Sequence, residues 1–271
     1  MKLETVVNGQ GYPLLCLHGH PGSKHCMNVF TEPLAHHFKT LAPDLRGYGQ
    51  SRPTTPFTMS QHLDDLVELL DQFAVEQCLV LGWSLGGILA MELALQYPQR
   101  VTGLMLLGTA ARPRGSHPPI AWQDNVFTAI ASILNRLVPG WQWNIDTFGQ
   151  RSLYRYLIQQ HHPAAYRRLA HEAFPAFLQT SQLANRALNT ALRQGYDRLP
   201  DLANIAVPAL VLAGECDRHI TANSRREAAR HLKHSTYKSY PDTAHLFPWE
   251  MPDQVLSDIQ AWLQAHDRGL R

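Results

Sequence analysis

The sequence predicts an α/β fold: a doubly wound, mostly parallel sheet with a helical cap inserted after a strand at 101–108. Three observations carry this reading. Short apolar runs alternate with amphipathic stretches along most of the chain, which is the element order of a parallel sheet flanked by helices. Several of those runs are apolar at every position, as in strands buried on both faces. Residues 112–200 break the alternation: after an opening loop, RPRGSHPP, they read as consecutive helices. The expected division is a core in 1–111 and 201–271 and a cap in 112–200.

The elements follow in order. KLETVVN offers one short strand, and PLLCLHG (13–19) is a compact apolar run ending in His18-Gly19. TLAPDLRGYGQS (40–51) is a strand that breaks into a glycine-rich loop. MSQHLDDLVELLDQF (59–73) places Leu63, Leu66, Val67, Leu70 and Phe73 at helical spacing. CLVLGW (78–83) is a strand, and LGGILAMELALQYP (85–98) is a largely apolar helix stopped by Pro98. VTGLMLLG (101–108), VPALVLAGECD (207–217) and STYKSYP (235–241) are three more strands. Helices at about 221–233 and 253–265 follow the last two.

Composition narrows the function classes. With 271 residues, 45% apolar and 17% charged, the chain is an ordinary globular protein with a substantial core. A net charge of +2 is too small to argue for nucleic acid. MKLETVVNGQGYP has no apolar run behind its lysine, so no signal peptide is expected. No stretch approaches the roughly 20 apolar residues of a membrane helix. The four cysteines show no regular spacing, and Cys16, Cys78 and Cys216 lie in or beside apolar runs, so a reduced, cytoplasmic protein is expected. Charge is uneven, however. Residues 112–200 hold ten arginines against four acidic residues, a balance of +6 that leaves −4 for the rest.

Two motifs carry chemistry. CLHGHPGSKHC (16–26) packs three histidines and two cysteines into eleven residues. A zinc site needs three or four side chains converging on one point. Here His18 is expected to turn inward and hold the turn, while His25 and Cys26 lie where a helix begins, so no metal is expected. The second motif is Gly82-Trp83-Ser84-Leu85-Gly86, with a strand before it and a helix after it. That context puts a serine on a tight, strained turn at the end of a strand, beside the positive end of the following helix. A serine hydroxyl needs a base and an acid to orient that base. Asp217 follows an apolar strand and His245 follows the last one, in the chain order Ser84, Asp217, His245. Glu215 is the rival for the acid.

These residues together make the chain resemble the serine-type α/β-hydrolases over nearly its whole length. The matching segments are His18-Gly19-His20-Pro21, Asp44 through Ser51, Gly82 through Gly87, Gly214 through Asp217, and His245 through Pro252. The resemblance implies an oxyanion hole made by the backbone amides of His20 and Leu85, and acyl transfer to water without a metal or organic cofactor. A serine at the elbow, in place of an aspartate, argues against haloalkane dehalogenases and epoxide hydrolases. A carboxylic ester is the leading small-molecule substrate.

GWSLGG and the arginine-rich cap also resemble pimeloyl-acyl-carrier-protein methyl ester esterases, which would make an acidic carrier protein a partner at the cap. Thioesters, lactones, carbon–carbon bonds next to a ketone and the peroxide chemistry of cofactor-free haloperoxidases use the same machinery. Some relatives bind ligands without catalysis. Trp83, Trp122, Phe127, Trp141 and Phe148 are candidates for the substrate pocket, each against plain packing, and the His20 imidazole stands open between pocket wall and surface. Asp44 and Arg46 are expected to brace their loop, and Glu250 and Pro252 to start the final helix.

Overall fold

The computed structural model describes residues 1–116 and 118–266. His117, in the loop opening the expected cap, and 267–271, at the end of the expected core, lie outside the described residues. Seven strands make one sheet: β1 (Thr5–Asn8), β2 (Tyr12–Leu17), β3 (Phe38–Pro43), β4 (Cys78–Trp83), β5 (Val101–Leu107), β6 (Ala209–Gly214) and β7 (Ser235–Tyr240). Their spatial order is β1-β3-β2-β4-β5-β6-β7. Only β1 runs antiparallel, pairing with β3 through Thr5↔Pro43.

The order places the site. From β2 the chain steps outward to β3, then crosses back to lay β4 on the other side of β2 and continues outward to β7. The winding reverses between β2 and β4, and ligands of open parallel sheets bind beyond the strand ends at such a reversal. His18-Gly19 follows β2 and Ser84 follows β4, so the two motifs meet there.

Alternation along the strands builds two cores. Leu15, Leu17, Val80, Leu104, Leu106 and Val211 face one side; Leu14, Cys16, Leu81, Met105, Leu107 and Leu212 face the other. Helices α1 (Asn28–Leu34), α2 (Gln61–Gln72) and α3 (Leu85–Gln96) follow the early strands. The first core takes α2 through Leu63, Leu66 and Leu70, together with nearly every side chain of α3. A helix apolar all round has to be buried on all sides, and α3 is. Each such side chain fully removed from water contributes roughly 1.5–3 kcal/mol.

Between β5 and β6 the described residues form α4 (Trp122–Leu137), α5 (Gln142–Thr147), α6 (Pro163–Arg168), α7 (Phe174–Gln179) and α8 (Gln182–Arg193), with a π-helical turn at Leu169–Ala173. Ile145, Tyr166, Leu169 and Ala176 join the second core, while Ala184 and Ala187 join the first. The chain closes with α9 (Ala222–His231), α10 (Phe247–Glu250) and α11 (Pro252–His266). Val255, Ile259 and Trp262 of α11 pack on the second core, as do Val29 and Phe30 of α1.

The structure corrects one expectation here: Pro252 does start the last helix, but Glu250 ends the short α10 and turns its carboxylate elsewhere. Among the described residues no helix is long and apolar enough to cross a membrane.

The approach of the elbow to β2 is closer than any side chain allows. A Cβ on Gly86 would fall 2.0 Å from the Leu17 carbonyl oxygen and 2.5 Å from its carbon, both backbone atoms of a central strand. Gly86→Ala should therefore lose about 1–3 kcal/mol of unfolding free energy in urea. An unchanged denaturation midpoint would mean that the helix and β2 are not held this tightly.

Candidate active site

Ser84 sits at φ 54° and ψ −115°, a left-handed conformation that costs a non-glycine residue roughly 1–3 kcal/mol. Its surroundings impose it. The Ser84 amide donates to the Leu107 carbonyl (2.8 Å), tying the elbow to β5. Its carbonyl accepts from Gly87 and Ile88 (3.0 and 3.3 Å), which starts α3 at once. A Cβ on Gly82 would lie 2.4 Å from the Gly86 carbonyl, and one on Gly19 would lie 3.1 Å from the Ser84 Cβ. The glycines are the condition for the turn. Among the described residues no hydrogen bond reaches the Ser84 hydroxyl, which opens on a cavity shared with His245.

Asp217 and His245 come together as the strand ends require. The His245 Nδ1–H donates to Asp217 Oδ2 at 2.7 Å. Asp217 Oδ1 accepts from the amides of His219 (2.7 Å) and Ile220 (3.0 Å). Oδ2 also meets Arg225, a fully buried side chain of α9. The same guanidinium donates to the carbonyls of Ile220 and Gly214, the latter at 3.3 Å. Burial lowers Arg225 to about 9, so it remains charged at neutral pH. Burial, reinforced by the Arg225 charge, pushes the His245 imidazole down to about 3. The neutral imidazole is thus the favoured form, and His245 lines the same cavity as Ser84. Glu215, the rival acid, points away: it accepts from Ser239 at 2.7 Å on an exposed edge.

The histidine-rich loop disperses its side chains. His18 is fully buried; the Leu45 amide donates to its Nε2 (3.0 Å), so its Nδ1 carries the proton and donates to the Gly19 carbonyl (2.7 Å). Burial lowers its imidazole to about 4. His20 shares a hydrogen bond with the Tyr48 hydroxyl (3.0 Å) and lines the cavity. His25 is exposed, and Cys26 points its thiol at the Glu172 carbonyl (3.7 Å). Among the described residues no group of three or more His, Cys, Asp or Glu side chains could hold a metal ion. The amides of His20 and Leu85 make no hydrogen bond to described residues.

Asp44 and Arg46 brace the loop after β3: Asp44 accepts from the amides of Lys24 (2.8 Å) and Gln50 (3.0 Å), and Arg46 grips Asp65 (2.6 Å). Glu250, read in the sequence as a helix start, is a staple. Its buried carboxylate accepts from Ala244, next to His245, at 2.8 Å, and from Gln159 and Gln160 at 2.8 and 2.6 Å. It joins the segment between β5 and β6 to the histidine loop.

The cavity has a volume of about 730 Å³, within the range of small-molecule sites. Ser84, His20, His245 and Trp83 line it together with Leu153, Leu157, Leu169 and Phe174. Among the described residues no Asp, Glu, Lys or Arg lines it. Of the five aromatic candidates only Trp83 is there. Trp122 is 71% exposed, Phe127 packs on Phe148 at 6.2 Å, and Trp141 packs on Trp143 at 4.9 Å, outside the cavity. Sequence reasoning missed Arg225, Tyr48 and the Glu250 staple. Only Arg225 left a signal: with Ala228, Ala229 and Leu232 it falls on one face of α9 at helical spacing.

Comparison with known proteins agrees with this geometry. Residues 14–258 match the model of the alpha/beta hydrolase family. The chain is 28% identical over 256 residues to a pimeloyl-[acyl-carrier protein] methyl ester esterase of Pectobacterium carotovorum, covering 93% of this chain and 94% of that protein. It is 26% identical over 271 residues to the proline iminopeptidase PfmaB of Pestalotiopsis fici, covering 93% and 91%. Among solved structures it is similar to a thermophilic esterase from Thermogutta terrifontis, with a TM-score of 0.72 and 26% identity over 97% of this chain and 93% of that one. With the reversed sheet winding, the serine elbow and the buried Asp–His pair already in place, this match shows that the chain belongs to the α/β-hydrolase family.

Proposed function

We propose that the protein is a serine hydrolase of neutral carboxylic esters with an apolar acyl or alkoxy group. The observation that carries the reading is the opening of a strained serine elbow and a buried His245–Asp217 pair on one cavity with no charged lining residue among those described. In this mechanism His245 Nε2 takes the Ser84 proton as Oγ attacks the carbonyl carbon. Asp217, holding Nδ1–H, fixes the tautomer and stabilises the imidazolium. The amides of His20 and Leu85 hold the oxyanion, helped by the positive end of α3. His245 then protonates the departing alcohol and activates a water that clears the acyl group. Residues of 112–200 act as the cap that forms the apolar walls. A second reading, a methyl ester borne on an acidic acyl carrier protein, draws on the name of the Pectobacterium relative and the ten arginines of 112–200. Its mark would be activity on a carrier-bound ester that falls steeply with salt while activity on a small soluble ester does not.

A fluorophosphonate probe should label the wild type and not Ser84→Ala, and this substitution should lower kcat/KM on a p-nitrophenyl ester by about 10⁴-fold or more. A folded wild type that takes no label would sink the serine mechanism.

A panel of acyl chains should rise in kcat/KM with length up to the depth of the cavity. A chain ending in a free carboxylate should fall about a hundredfold below its methyl ester, because no cation waits for it. Equal rates for acid and ester would show that the cavity is wetter than its lining.

The pH profile tests Arg225. A base lowered from 6.5 is deprotonated further into acid, so the acid limb of kcat/KM should lie below pH 6.5. For the same reason the neutral His245 contributes stability at neutral pH that is lost as pH falls from 6.5 toward 3. Arg225→Leu removes the cation that presses the imidazole down, and should move the limb to higher pH. An unmoved limb would assign the shift to burial alone.

A further inference from the structure

Helix α4 is amphipathic the wrong way round. Its buried positions are Asp124, Ala131 and Asn135, held by Arg155 and by the Tyr166 carbonyl. Trp122, Val126, Ile133 and Leu137 make an exposed apolar stripe on it, with Leu137 at 72% exposure. Phe177 and Leu178 of α7 are exposed as well. Ile133 and Phe177 belong at once to this surface and to the wall of the cavity that holds Ser84, so the apolar surface is the rim of the cavity mouth. A soluble domain rarely leaves such a rim in water without a use for it.

Basic groups stand beside the rim. Arg136 is exposed next to Leu137, and Arg167 lies by Gly140 at the corner between α4 and α5, where a Cβ would fall 3.3 Å from its guanidinium. Among the described residues no ion pair reaches either side chain. Trp141 and Trp143, tilted against each other at 4.9 Å between ring centres, border the same corner and are exposed. An apolar stripe, tryptophans at its border and unpaired arginines beyond them are the parts of a surface that settles into the headgroup region of a lipid layer.

We propose that this rim docks on an anionic lipid–water interface, so that an ester dissolved in that apolar phase enters the cavity without crossing water. The proposal rests on the ester-hydrolase reading for its substrate, and on the rim alone for its docking. A second copy seated on the same face would close the mouth over Ser84, whereas a lipid layer would feed it. An acidic protein would find the arginines but face an uncharged centre.

The experiment is flotation with vesicles of phosphatidylcholine, with and without phosphatidylglycerol, joined to ester kinetics. The wild type and Ser84→Ala should both float with phosphatidylglycerol vesicles, with a blue shift in tryptophan emission. Pure phosphatidylcholine should capture at least about tenfold less protein. The double variant Trp122→Gln, Leu137→Gln should float about tenfold less than wild type while keeping the wild-type kcat/KM on a soluble butyrate ester, which also shows that it is folded. Only the wild type should speed up when a long-chain ester passes its solubility limit. A wild type that stays at the bottom, or a double variant that floats equally well, overturns the docking. So does a sedimentation dimer that the two substitutions dissolve, or capture of an acidic carrier protein without flotation. A wild type that floats and cleaves no ester would sink the hydrolase reading and leave the docking standing.

Discussion

A carboxylate shut away from water governs this site. Asp217 is fully buried at its side chain, and an ionised group in that position costs several kcal/mol unless every lone pair is answered. Four groups answer it: the Arg225 guanidinium, the amides of His219 and Ile220, and the imidazole of His245. Meeting that demand fixes the register of α9, the course of the loop after β6 and the face that His245 turns to the cavity. Arg225 does double duty, since its two terminal nitrogens also close the same loop on Gly214 and Ile220. The proposed base is therefore oriented by the carboxylate of a buried ion pair, and kept neutral by burial together with the cation of that pair.

The second constraint is steric. Ser84 can stand at the reversal of the sheet only because Gly19, Gly82 and Gly86 let three backbones come within side-chain distance. His18 fixes the facing loop from behind, through Leu45, and Tyr48 fixes His20 from the side. Glu250 extends the frame outward. One carboxylate takes amides from both the histidine loop and residues 159–160, so the cavity walls share an anchor with the imidazole. Burial raises this carboxyl, and its three amide partners offset that pressure. Movement of the inserted segment at this point would be felt at His245.

What could be read in the sequence follows from what acts locally. β4 and β6 are visible as unbroken apolar runs because both faces of a central parallel strand are covered. Ser84 is visible because the glycines around it are demanded by backbone geometry, and Asp217 and His245 because strand ends place them. Arg225 is one of three arginines in ANSRREAARH, and only its spacing from Ala228, Ala229 and Leu232 sets it apart, without showing that it meets Asp217. Glu250 sits where a helix-starting acid would sit, and its partners lie some ninety residues away. The aromatic candidates failed for a related reason. Composition says that Trp122, Phe127, Trp141 and Phe148 are bulky, but not which way α4 and α5 face, and α4 turns its apolar side outward.

Charge and its absence are divided between separate parts of the site. The formal charges of the Asp217–Arg225 pair sit beside His245 and do not line the cavity. The walls, drawn from the segment between β5 and β6, carry none among the described residues. A ligand bearing an ammonium or a carboxylate would give up its water in such a cavity and find no counter-charge, at a cost of several kcal/mol. A neutral ester gives up little, and the charge it develops at its carbonyl oxygen would appear only beside the free amides of the His20 loop and the start of α3. In the proposed reaction, selection of the substrate and stabilisation of the transition state would thus use separate parts of the chain. A change in the walls can redirect the first without disturbing the second.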